Sequence, residues 1–200
     1  WDGEVPLHTG HPWTYRNQAE LKVARGSEGQ VEIGFFEAES HRLSPVDECL
    51  ILSPRLNAVL SELRNLWAER LGDCREIEVL ADDRDERVML TLRGTLTPPQ
   101  GETLARDLLA HLSGAASVAI ECEGDLHTFG DPGLDYSVGE FRYRVSPGSF
   151  FQASRFLLPE IVAAVTEGES GELALDLFAG VGLFTLPLAR RFKQVVAVEA

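Results

Sequence analysis

Lysine is nearly missing from this sequence. Only two of its 18 basic residues are lysines, against 32 acidic residues, and the formal net charge is −14. Phosphate affinity comes largely from counterion release by Lys and Arg. Bulk charge therefore argues against a nucleic-acid partner unless the positive charge is local or lies outside this chain. Cysteine is also scarce. Cys49, Cys74 and Cys122 are far apart, odd in number and form no C-x-x-C pair. That disfavours a disulfide framework and favours a reducing cytoplasm. No run of about 18 apolar residues occurs, so no transmembrane helix is expected. The opening "WDGEVPLHTGHPW" has neither a basic start nor an apolar centre, and so does not read as a secretory leader. It also lacks an initial Met, and we expect a segment from the middle of a longer protein. No internal repeat or low-complexity segment stands out.

What is present reads as alternating strands and helices. The apolar fraction is 44%, enough for a packed core, and 200 residues suit one large domain or two small ones. Tyr15–Phe36 predicts two strands around a Gly-Ser-Glu-Gly turn. From Ser53 to Gly72 the spacing is helical, with Leu56, Val59, Leu60, Leu63, Leu66 and Trp67 on one face. Ser53 is its N-cap, Pro54 its first residue and Gly72 its end. "REIEVLAD" and "ERVMLTLRG" predict strands across an Asp-Asp-Arg-Asp turn. "PPQGETLARDLLAHLSG" predicts a second amphipathic helix closed by Gly114, and "ASVAIEC" a further strand. The order over residues 13–123 is β-β-α-β-β-α-β, which predicts an α+β domain with an antiparallel sheet. A Gly-rich hairpin follows, then a helix delayed or kinked by Pro159.

The last stretch carries the chemistry. "LALDLFAGVGLFTLPLA" reads as a buried strand (Leu173–Phe178), a turn with Gly180 and Gly182, and a helix over Leu183–Phe192; "VVAVEA" is the next strand. This is the β-α-β start of a doubly wound sheet. Glycines let the backbone take positive φ and approach a ligand, and the helix start offers free N–H groups. Glu199, 17 residues after Gly182, falls where an acid can accept from both ribose hydroxyls of an adenosine. Dinucleotide sites prefer a third glycine, and here Phe184 or Thr185 stands in its place. Asp176, just before the turn, would repel a pyrophosphate but can face a cation. The pattern thus favours S-adenosylmethionine (SAM), with its ammonium and sulfonium, over NAD. The bland reading is a glycine turn that only packs helix on strand.

"SFFQ" (Ser149–Gln152) upstream, together with "LDLFAGVGLFTLPLA" and "VVAVEA", resembles the RNA uracil-carbon-5 methyltransferases, which make 5-methyluridine in tRNA and 23S rRNA. "WTYRNQAELKV" and "ECLIL" extend the likeness to nearly the whole chain. The resemblance implies a central α+β domain (1–125) followed by the N-terminal part of a Rossmann-like SAM-dependent methyltransferase domain (126–200). It implies RNA (rRNA or tRNA) as substrate and SAM as cofactor. It gives SAM contacts to Gln152, Phe178 and Glu199, along with the turn residues Asp176, Gly180 and Gly182. Leu183 replaces a frequent Asn and would contact by backbone only. Ala179 replaces a frequent Cys, and Ser154 a frequent Asn. Cys49 matches one ligand of an iron–sulfur cluster in some members. The other three thiolates come from an upstream stretch this chain does not have, so here Cys49 reads as a small buried apolar residue. The family's Cys nucleophile and base belong to later strands, so residues 1–200 alone are expected to be inactive. Two further readings stay open: a SAM-dependent methyltransferase on a non-RNA substrate, and a non-catalytic nucleotide- or RNA-binding module.

Overall fold

The computed structural model describes Leu7–Glu199. Strands β1 (Gln18–Arg25) and β2 (Val31–Phe36) form the expected hairpin, and a short β3 (Leu43–Pro45) adds to β2. Helix α1 (Pro54–Glu62) starts where the Ser53 side chain accepts from the Leu56 N–H. It then widens into a π turn (Leu63–Trp67) and tightens into a 3-10 turn (Ala68–Leu71). The widened turn has a consequence for the apolar face. Leu56, Val59, Leu60, Leu63 and Trp67 are buried, but Leu66 is 71% exposed. The i→i+5 repeat changes the angular spacing, bringing Trp67 to the core and turning Leu66 out.

Strands β4 (Cys74–Ala81) and β5 (Val88–Gly94) form a second hairpin. Asp82 Oδ1 closes its turn by accepting the N–H groups of Glu86 at 2.8 Å and Arg87 at 3.2 Å. Helix α2 (Pro98–His111) carries a Thr97–Gln100 capping box and leads to β6 (Ala115–Cys122) and β7 (Asp125–Gly130). The seven strands form one sheet in the order β3-β2-β1-β4-β5-β6-β7. Its neighbours are antiparallel except β5 and β6, which run parallel. The antiparallel sheet expected here thus holds for every neighbouring pair but this one. Helix α2 carries the chain back to the start of the sheet before β6 begins, and such a crossover makes the two strands it joins parallel. Helices α1 and α2 cover one face, burying Leu21, Ile33, Ile77, Val79, Leu90, Leu92, Val118 and Ile120. Part of the opposite face is polar: Lys22 and Arg93 sit among Glu20, Glu76, Glu78 and Glu121.

A second apolar cluster rests on the end of that opposite face through Leu80, Met89 and Ala116. It is built by β8 (Leu134–Val138), β9 (Phe141–Val145), α3 (Leu158–Thr166) and Leu183. Helix α3 starts late, with Pro159 in its first turn, where a missing N–H is harmless. Strands β10 (Gly171–Leu177) and β11 (Phe192–Val198) pair in parallel around α4 (Thr185–Ala189). This helix is shorter than the Leu183–Phe192 expected, because Leu183 and Phe184 still belong to the turn and the chain leaves the helix after Ala189. Hydrogen bonding assigns β7 to the large sheet, so a division by pairing falls after Gly130.

Candidate functional site

The glycine turn sits at the carboxyl ends of β10 and β11. Three residues in a row of five take left-handed backbone: Phe178 at φ 60°, Gly180 at 54° and Gly182 at 82°. Glycine does this freely, whereas Phe178 bears a strain of about 1–2 kcal/mol. Its ring is 87% exposed, so burial does not offset that strain. Such outliers concentrate where a ligand or partner is held. Backbone bonds shape the turn: Ala179 N–H donates to Val198 C=O at 3.0 Å, and Gly182 N–H to Ala179 C=O at 2.8 Å. Glu199 Oε2 accepts the Gly180 N–H at 2.7 Å, which pins the acid of β11 to the turn.

A cleft of about 430 Å³ opens beside this turn. Its walls include Gly180, Gly182, Thr185 and Glu199, together with Arg142 and Arg144 of β9. Of the seven residues expected at the site, the cleft collects Gly180, Gly182 and Glu199. Phe178 projects into solvent next to them. Asp176 is buried, and its Oδ2 accepts the Thr185 hydroxyl. Its carboxylate thus anchors the first residue of α4 and does not line the cleft. Leu183 is also committed elsewhere. Its side chain packs in the second cluster, and its C=O accepts the Tyr143 hydroxyl at 3.0 Å. Burial pushes that Tyr143 hydroxyl up to about 12, which keeps it a neutral donor.

The "SFFQ" segment lies against the turn. A Cβ placed on Gly180 would stand 3.7 Å from the Phe150 carbonyl oxygen. Phe150 is exposed and Phe151 buried, with its ring centroid 4.7 Å from that of Tyr136; Gln152 is half-buried. The segment is held by the start of β1. Asn17 N–H donates to Ala153 C=O at 3.0 Å, and Arg155 N–H to Tyr15 C=O at 2.9 Å. The buried Asn17 amide also donates to the Tyr136 hydroxyl at 2.9 Å. The "YRN" motif therefore couples the large sheet to the loop that borders the turn.

Sequence reasoning missed Tyr143, Thr185, Arg142, Arg144 and Asp135. "FRYRV" shows a strand alternation, but the partner of Tyr143 is 40 residues away. Nothing local announces such a contact.

The cysteines do not gather. All three are free thiols. Cys74 is buried, and burial together with Asp73 pushes its thiol up to about 12. Burial also raises the Cys122 thiol. Cys49 is half-buried, and the Asn57 side chain clasps its backbone N–H at 2.9 Å and its C=O at 3.0 Å. No group of three or more His, Cys, Asp or Glu able to hold a metal occurs among the described residues. No described helix is long and apolar enough to cross a membrane.

A large mixed sheet followed by a parallel β-α-β unit with a glycine turn defines the class: an α/β fold ending in the start of a Rossmann-like unit. The tRNA (uracil-54, C5)-methyltransferase of Pyrococcus abyssi, solved with S-adenosyl-L-homocysteine, superposes with a TM-score of 0.74 at 20% identity. The match covers 94% of this chain and 49% of that one, and at this identity it speaks for the fold. No family model matches the chain. Two curated proteins narrow the class. The 23S rRNA (uracil(1939)-C(5))-methyltransferase RlmD of Enterobacter sp. (strain 638) is 31% identical over 202 residues, covering 96% of this chain and 45% of that protein. The RlmD of Dechloromonas aromatica is 29% identical over 211 residues, covering 98% and 48%. The chain is thus similar in sequence, over nearly all its length, to proteins named as RNA uracil-C5 methyltransferases, and it spans about half the length of the curated relatives it matches.

Proposed function

We propose that this chain is the central and cofactor-binding part of an enzyme that methylates carbon 5 of a uridine in rRNA or tRNA, in the cytoplasm, with SAM as methyl donor. The observation that carries this reading is the meeting of three features at one turn: the left-handed glycines and the Glu199 carboxylate, which line one cleft, and the "SFFQ" loop, whose Phe150 carbonyl faces Gly180. The residues fit the cofactor. Glu199 is held at the turn by a single N–H and has a free oxygen for a ribose hydroxyl. Gly180 and Gly182 leave the cleft open to a flat nucleoside. Phe178 opens the turn, Gln152 belongs to the loop whose Phe150 carbonyl faces Gly180, and its amide can both donate and accept. Asp176 acts at one remove, by fixing Thr185 at the start of α4. SAM supplies the methyl group. The acidic chain then contributes binding and orientation.

We assign the division of labour to a central domain and a SAM-binding part, with the expected boundary at 125/126 moved to after Gly130, where β7 ends. None of the three cysteines suits a nucleophile: Cys74 and Cys122 are buried with raised thiols, and Cys49 is packed against α1. An iron–sulfur cluster would use Cys49 only with three thiolates from outside residues 1–200, and no step is built on one. Residues 1–200 are expected to bind the nucleoside and transfer no methyl group. Calorimetry with S-adenosylhomocysteine and with NAD tests this. We expect binding of the former only, weakened at least tenfold by Glu199→Ala. Binding of NAD instead, or an unchanged affinity in Glu199→Ala, would overturn the assignment.

A further inference from the structure

An acidic protein that acts on RNA needs local guanidinium or ammonium donors, and β9 brings two arginines to the cleft. Arg142 and Arg144 stand two residues apart on the same side of this strand, about 6.6 Å apart along it. Both line the cleft that also holds Gly180, Gly182 and Glu199. Their side chains are 72% and 51% exposed. Asp135, across the hairpin from Arg144, takes one donor from each: Arg144 Nε at 2.6 Å and a terminal nitrogen of Arg142. Arg144 first, and Arg142 second, hold the Asp135 carboxyl below the usual carboxylate range. The trio by itself keeps one net positive charge, which Glu199 in the same cleft offsets, so an anion would be held by the guanidinium donors themselves. Each guanidinium has five N–H donors and gives few of them to Asp135, so each retains donors for a bidentate anion contact. Asp135 therefore orients the two forks without neutralising them.

We infer that Arg142 and Arg144 form a phosphate-binding rim that lays the RNA backbone across the cleft mouth, one phosphate per guanidinium. The inference rests on RNA as the substrate proposed above. A cofactor carboxylate is the competing anion, but the solvent exposure of both side chains favours a polyanion passing over the surface. Contacts of this kind position the nucleic acid and do not read its sequence.

The test uses the chain Trp1–Ala200, a fluorescein-labelled single-stranded RNA containing uridine, and fluorescence anisotropy over roughly 50–200 mM salt. Arg142→Ala/Arg144→Ala is expected to weaken binding about tenfold. It should also flatten the slope of log K against log salt by about 1.4, the release from two single-strand phosphates. Arg142→Lys/Arg144→Lys keeps the charge and should restore most of the affinity. Arg42→Ala removes one charge at an exposed ion pair with Glu37, outside the cleft lining. It should leave affinity and slope close to wild type. Circular dichroism checks that each variant is folded. No measurable RNA binding by the wild-type chain overturns the inference. So does a double Ala variant that behaves like Arg42→Ala. Calorimetry with S-adenosylhomocysteine runs in parallel. Loss of its binding in the double Ala variant, with RNA affinity kept, assigns the arginines to the cofactor carboxylate and refutes the rim. Failure of wild-type cofactor binding strikes the proposed function itself.

Discussion

Tyr143→Phe removes one oxygen atom and probes how the glycine turn is held. The Tyr143 hydroxyl donates to Leu183 C=O at 3.0 Å, and both residues are buried. Deleting it leaves the Leu183 carbonyl in an apolar cluster with no donor from β9. A lost buried partner of this kind costs about 1–3 kcal/mol, and the added apolar character of Phe returns only a little of that. We expect a net loss of about 1–2 kcal/mol. For a chain of this size each kcal/mol moves Tm by roughly 2–4 °C, so the shift should be about 2–8 °C in a calorimetric scan. The second apolar cluster rests on the large sheet through only a few side chains. Should it melt separately, the lower transition alone should move. A local readout sharpens the test. Leu183 precedes α4, so amide exchange at Leu186 and Leu188, which donate to Gly182 and Phe184, should speed up. A Tm within 1 °C of wild type, or unchanged exchange at those amides, would refute the claim that this bond anchors the turn to the hairpin.

Two more outcomes follow from the same structure. Leu63→Ala should cost about 2–5 kcal/mol in denaturant unfolding and Leu66→Ala less than about 0.5, because the π turn buries the first and exposes the second; equal losses would contradict the turn. At high pH the fold should weaken. Burial raises the groups of Cys74, Tyr136 and Tyr143 to about 12. A raised acid favours the fold while neutral and loses that contribution as pH climbs from its unfolded value through its folded one. Stability measured by urea titration should therefore fall between about pH 9 and 12, and a flat profile there would show that these groups are not buried.

Legibility varied along the chain for physical reasons. The hairpin β1–β2 and the strands β4, β5 and β6 were readable, because alternation and turn residues are local signals. So were the Ser53 cap and the strand–turn–helix order around Gly180, while Pro159 left open a late start or a kink of α3, and the structure shows the late start. Leu66 misled because a π turn breaks the spacing on which helix periodicity depends. The parallel pairing of β5 with β6 was hidden as well, since strand direction follows from where α2 sends the chain. Leu173, Leu175 and Leu177 read as a buried strand, yet they are exposed at 53%, 61% and 61%. Among the described residues only β11 pairs with β10, so that face lacks the cover the pattern calls for.

The sequence by itself determined the glycine turn and its acid at Glu199, because these depend on backbone freedom and on spacing, while "SFFQ" was marked by resemblance. Only the tertiary structure decided what the turn is built against. It folded Asp176 inward onto Thr185, set Tyr143 on the Leu183 carbonyl and brought Arg142 and Arg144 to the cleft. Those contacts join residues 9 to about 40 positions apart. Their geometry follows from packing, which no local pattern of residues encodes.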